Sequence, residues 1–359
     1  MSIAFDRERW LRVRENYARW WTGELNRPLV HIVLTDAPSD RAEPALPGYG
    51  FASFYDLTVP AADIVDRWDY DLSRCRFLGD AFPSVWPNFG PGVAAAFLGA
   101  RLVNGKDTSW FQPSKIVELD QLRLTYDPAN PWLARVRELT QAALDRWQGL
   151  VQVGITDLGG TLDILSTFRP GELLLLDLVD RPADVKRVTW DIHRLWWRFY
   201  EEFEALLRPV NPGYTAWAPI FSAERYYMLQ CDFCYMIGPD MFEEFVKPEL
   251  TASCDRLTHA FYHLDGVGQL PHLDALLRIG SLKGVQWVPG AGQPDCAHWP
   301  QVYRRIREAG KLVQLFGSLE TLAAVVSQLG SGEGLILIAS APAGQASAIR
   351  EFLERFGAA

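Results

Sequence analysis

His263 and Asp265 stand two residues apart at the end of an apolar run, HAFYHLD. Residues two apart share a face when the backbone is extended. The spacing therefore predicts an imidazole and a carboxylate aimed the same way, as a proton-transfer pair or as two metal ligands. The same residues also suit a plain structural role, with Asp265 capping the next helix and His263 bonding backbone. Asp157 and Asp163 flank the stretch TDLGGTLD, whose glycines would let backbone approach a ligand closely. Alternatively, Asp157 orders that loop and Asp163 caps a helix. Asp232 lies inside CDFC, next to a lone C-x-x-C pair, Cys231 and Cys234. A zinc ribbon needs a second such pair, so two buried thiols are the simpler reading. Trp217 and Tyr226 can wall a cavity or pack in a core. Trp287 and Ser340 each fall at the end of an apolar run.

These side chains need elements to position them. Residues 258–290 read as strand, loop, amphipathic helix and strand, with the polar groups placed where a strand ends. Apolar runs at 29–34, 84–86, 150–155, 214–217, 260–262, 285–288, 312–316 and 335–339 are strand candidates. Most are apolar throughout, as parallel strands buried on both faces require, and most precede a helical pattern. Repeated strand–helix alternation predicts a single-domain α/β fold over 1–359, a (β/α)8 TIM barrel. A helix over 6–25 precedes the first strand. Excursions at 36–60 and 101–126 follow the first two strands, and Asn104-Gly105 marks a hairpin in the second. Pro248 is expected to bend or split a helix over 239–258. In such a barrel the loops at the carboxyl ends of the strands form the active-site mouth. That places His263, Asp265, Asp232 and Asp157 as candidate catalytic residues. Trp217, Tyr226, Trp287, Asp163 and Ser340 are then candidate substrate contacts, and His263 is a candidate metal ligand.

Composition narrows the class. With 48% hydrophobic and 22% charged residues over 359 positions, the chain forms a core and is not disordered. A net charge of -9 argues against nucleic acid as a partner. Fourteen Trp and 19 Phe indicate a large aromatic core or an aromatic-lined cavity. The charged opening MSIAFDRERW has no apolar signal core, and no run approaches the ~18 residues of a membrane span. A cytoplasmic protein with reduced thiols is expected, binding a small molecule and neither nucleic acid nor membrane.

Four stretches resemble the uroporphyrinogen decarboxylase superfamily, which includes corrinoid-linked methyltransferases. They are PNFGPGVAAAFLGA (87–100), GELLLLDLVDRPADVKRVTWDI (171–192), CDFCYMIGPDMFEEFVKPEL (231–250) and YHLDGVGQLPHLDALLRIGSLKGVQWVPG (262–290). Within them, Asp232, the run Ile237-Gly238-Pro239-Asp240-Met241-Phe242 and His263 follow the family's hallmark segment. The resemblance implies the barrel fold. It also implies methyl transfer involving a small donor or a methyl-corrinoid, with zinc, or a corrinoid carried by a separate protein, as cofactor.

Two departures qualify this. The decarboxylase's arginine-rich motif after the first strand is replaced by RPLVHIVLTDAPSDR, where Arg27 precedes the strand and Arg41 is distant. A substrate with eight carboxylates needs cationic partners, so tetra-decarboxylation is disfavoured. The methyltransferases' His-x-Cys and later Cys become His263-Leu264-Asp265 and Ser340-Ala341, which removes the thiolate ligands. Methyl transfer leads, a decarboxylase or lyase acting on a tetrapyrrole or other carboxylated substrate is second, and a non-catalytic ligand-binding barrel is third.

Overall fold

The computed structural model describes residues 3–359. Arg7–Trp21 forms helix α1, and the Asp6 carboxylate caps it by accepting from Arg9 N at 2.9 Å. One stripe of this helix buries Trp10, Val13, Tyr17 and Trp20, as its 3.6-residue spacing predicts.

Among the described residues, eleven strands follow in the order β1 (Leu29–Thr35), β2 (Arg76–Gly79), β3 (Ser84–Val85), β4 (Arg101–Asn104), β5 (Ser109–Gln112), β6 (Gln152–Val153), β7 (Tyr226–Gln230), β8 (His259–Asp265), β9 (Leu282–Val288), β10 (Leu312–Phe316) and β11 (Leu335–Pro342). Seven of them form the central sheet, in the order β2-β1-β11-β10-β9-β8-β7. Its neighbours are parallel except β1–β2. β3 and β6 make a separate parallel pair, and β4 and β5 make the hairpin that Asn104-Gly105 foretold. The protein is therefore a mixed α/β fold around a mostly parallel sheet.

Helix α1 packs against the amino-terminal ends of β7 and β8. Trp21 stacks on His259 with ring centroids 4.0 Å apart, and its Nε1 donates to Phe221 O at 3.0 Å. Trp20 stacks on Phe261, and Trp10 Nε1 donates to Leu150 O at 2.9 Å. The long amphipathic helix Pro182–Leu207 covers the opposite face of β7, where Trp196 meets Tyr227 edge-on at 5.0 Å. Much of the aromatic content is thus core packing.

One expected strand is not formed. Residues 214–217 contribute only an isolated bridge, Tyr214 with Ser222, and the strand is Tyr226–Gln230 instead. All five residues of that strand are buried, which satisfies a strand covered on both faces. The region around Pro248 behaves as its missing N–H requires: a π-helical turn, Phe242–Val246, precedes Lys247–Arg256. Among the described residues, no helix is long and apolar enough to cross a membrane. The five cysteines are free.

Candidate functional site

β8 delivers His263 and Asp265 to one face, two residues apart as predicted. His263 Nε2 lies 3.9 Å from Asp265 Oδ2, too far for a hydrogen bond. The other ring nitrogen, Nδ1, bonds Gln286 Oε1, and Gln286 Nε2 donates to Gln314 Oε1 at 3.0 Å. These partners arise from strand register: Gln230, His263, Gln286 and Gln314 face one another across β7, β8, β9 and β10. Neither structural alternative for the pair occurs. The turn after β8 has Gly266 at its cap with no side-chain bond, and the His263 bond goes to a side chain. Trp217 is half-buried and stands edge-on to the His263 ring, 5.0 Å away at 88°.

Asp232 follows β7 and opens the 3-10 turn Asp232–Met236. Asp163 fixes this turn from the first turn of helix Thr161–Phe168, accepting from Asp232 N at 3.0 Å and Phe233 N at 2.8 Å. Glycine is required beside it, since a Cβ on Gly160 would lie 2.3 Å from Gln230 O and 2.5 Å from Asp163 Oδ2. Asp232, His263 and Asp265 then place one donor atom each within 4.8 Å of one another. Spacing alone makes His263 and Asp265 possible ligands. The structure adds a third, Asp232, from the turn that follows the neighbouring strand.

Asp157 is buried behind this group. Its carboxylate accepts from Gly159 N at 2.9 Å, and its main-chain oxygen accepts from Val93 N at 2.9 Å. Burial pushes its carboxyl up to about 7 against that Gly159 bond, with the charges of Asp232 and Asp163 adding to the rise. Burial and then the Asp232 charge raise Asp163 to about 7. Asp232 reaches solvent, yet desolvation by the surrounding protein and then the Asp265 charge push it up to about 6. For His263, burial lowers the value, and Asp265 and Gln286 oppose the change. The His263 imidazole is thus biased toward its neutral form, and the Asp157, Asp163 and Asp232 carboxyls toward protonation.

Two cavities meet this group. One, of about 710 Å³, is lined by Asp265, Trp287, Asp295, Cys296 and Phe316 among others. The second, of about 660 Å³, is lined by Trp110, Phe111, Asp163, Gln230, Asp232 and Phe233 among others. No Lys or Arg lines either cavity. Exposed apolar side chains, Trp110, Tyr235, Met236 and Phe316, stand around them.

The remaining candidates separate. Trp287 lines the first cavity, is fully buried, and has an Nε1 without a partner. Ser340 is exposed on β11 opposite Val33 and lines neither of these two cavities. Tyr226 is not a loop residue but the first residue of β7, registered with His259 and 6.1 Å from Trp21. It sits at the strand end away from the acidic group, because the strand runs from Tyr226 to Gln230 rather than over 214–217. The glutamine row was missed. Its signal was a single Gln inside otherwise apolar runs, VQW and VQL, since a buried amide needs partners.

No protein-family model matches the chain, and no curated protein matches it.

Proposed function

We propose that the chain is an enzyme of the uroporphyrinogen decarboxylase type that transfers a methyl group to or from a small substrate without carboxylates. The observation that carries this is the mouth itself: Asp232, Asp265 and His263 converge there, and neither cavity is lined by a cationic side chain. Such a site favours a neutral or positively charged donor and disfavours an anion, which would be buried without a partner.

The proposal includes closure of the sheet into a (β/α)8 barrel, in which β2 is an added antiparallel strand and β3 and β6 lie between the β1–β2 edge and β7. Backbone bonds of the kind this needs are present. Gly154 N donates to Val85 O at 2.7 Å, and Ile155 N donates to Thr215 O at 3.0 Å.

In the transfer, the bond from methyl carbon to the donor heteroatom breaks as its bond to the acceptor forms. The acceptor's electron pair makes the new bond, and the donor heteroatom, protonated from solvent at the open mouth, keeps the old bonding pair and leaves neutral. Asp232 and Asp265 hold the donor in its protonated, positively charged form, Trp217 and the glutamine row hold the His263 ring, and Asp163 holds Asp232. The three donor atoms fit a divalent ion, which would supply Lewis acidity beside the substrate. A corrinoid would come on a separate protein, and the exposed apolar rim suits such a docked face.

The test is turnover of methylated amines, alcohols and thioethers with reduced cobalamin as acceptor, followed by its absorbance. Methyl transfer that is lost in Asp265→Ala is expected. Release of carbon dioxide from a carboxylated tetrapyrrole, with no methyl transfer, would overturn the proposal in favour of a lyase.

A further inference from the structure

We infer that Asp232, His263 and Asp265 form a divalent transition-metal site of mixed nitrogen and oxygen donors, with no thiolate. The inference concerns the same mouth as the proposed activity but does not require methyl transfer. Three observations lead to it.

The first is spacing. Donors around one first-row ion at about 2.0–2.2 Å stand roughly 3–4 Å from one another. The 3.9 Å between His263 Nε2 and Asp265 Oδ2 has that value, and all three donors lie within 4.8 Å. Asp232 lies at the solvent-exposed rim.

The second is the ring orientation. Gln286 Oε1 is an amide oxygen and can only accept, so Nδ1 carries the hydrogen and donates it, while Gln286 Nε2 donates to Gln314. Nε2 is then a lone pair, and it faces two carboxylates. Three electron-rich atoms turned toward one point repel one another unless something positive lies between them. Among the described residues, no Lys or Arg forms an ion pair with Asp232 or Asp265. A histidine that donates its far N–H to a carbonyl oxygen is the arrangement metal-binding imidazoles use.

The third is the exclusion of sulfur. Cys231 and Cys234 flank Asp232 in sequence but are buried, and neither belongs to the converging group. Imidazole with two carboxylates suits an ion such as zinc, manganese or ferrous iron and leaves further coordination positions for water or substrate.

The test uses the full chain, stripped with a chelator and titrated with zinc by calorimetry, then loaded with cobalt(II) for absorption spectroscopy. One equivalent should bind, and the cobalt form should show visible bands without the intense near-ultraviolet band of a thiolate ligand. His263→Ala should abolish stoichiometric binding. Asp232→Asn, at the exposed rim, should weaken it while the fold is kept, as circular dichroism would show, so the test does not depend on the stability of the His263 variant. Gln286→Leu should weaken it by about 10- to 100-fold through loss of the ring's orientation. Cys231→Ser with Cys234→Ser should bind as wild type. No stoichiometric binding, binding retained in His263→Ala, or a thiolate band lost in the double serine variant would each overturn the inference. Metal binding without any methyl transfer would support it while removing the proposed activity.

Discussion

Gln286 holds one edge of the His263 ring through Nδ1 and leaves the other edge, Nε2, facing Asp265 across 3.9 Å. The two residues are register partners on β8 and β9, so their contact is built by the sheet and not by a loop. A site mounted on strands keeps its geometry better than one mounted on mobile connections.

Replacing Gln286 by Leu should reduce turnover by about 10- to 100-fold, because the imidazole loses its fixed orientation. It should also cost about 1–3 kcal/mol of stability, since Gln314 is left with an unpaired buried amide. The double variant Gln286→Leu with Gln314→Leu should recover much of the stability and none of the turnover. Urea unfolding beside steady-state kinetics separates the two effects.

Asp157 should make stability depend on pH in a defined direction. Burial raises its folded value from 3.8 to about 7, so its neutral form is the stable one. Its contribution is complete below the unfolded value and is lost as pH rises through about 7. At 1.36 kcal/mol per unit, the loss is on the order of 4 kcal/mol at most. His31 acts oppositely: burial lowers it to about 4, so its contribution is complete above the unfolded value near 6.5 and is lost as pH falls toward 4. The difference between wild type and Asp157→Asn isolates the aspartate. The variant should be the more stable at pH 8, with the two converging near pH 4. Equal differences at both pH values would sink the idea.

Gly160→Ala should destabilise by about 1–3 kcal/mol, because the added methyl meets Gln230 O and the Asp163 carboxylate well inside contact distance. The same change at Gly280, where nothing lies within 4 Å of the new atom, should stay within about 0.5 kcal/mol of wild type. Because Gly160 neighbours the Asp163 brace on Asp232, its variant should also lose metal affinity, whereas the Gly280 variant should not.

Tyr226→Phe should leave activity unchanged. The phenol is buried without a partner at the strand end that packs on α1. Removing an unpaired hydroxyl should leave stability equal or raise it by about 1 kcal/mol. A marked fall in turnover would return Tyr226 to the site.

Legibility in the sequence followed the range of the forces involved. His263 and Asp265 were readable because alternation along one strand is local. The hairpin at Asn104-Gly105 and the helix start at Asp6 were readable for the same reason. Tyr226–Gln230 was not, since its aromatic residues directly precede the polar CDFC turn and gave no boundary at either end. The closeness of Asp232 to His263, and the run of glutamines beside that ring, depend on which strands lie next to each other. That ordering is set by tertiary packing, which no window of a few residues contains.

The contacts of α1 also bear on how the chain is made. Trp21 finds its hydrogen-bond acceptor at Phe221 and its stacking partner at His259, both some two hundred or more residues later. During synthesis the helix emerges long before the surfaces that cover it. Its aromatic stripe must stay in solvent or be shielded until β7 and β8 have left the ribosome. Interruption before about residue 260 would leave the Trp20–Trp21 end of the helix without its stacking partners, so truncated products of this chain should aggregate even though their local sequence is intact.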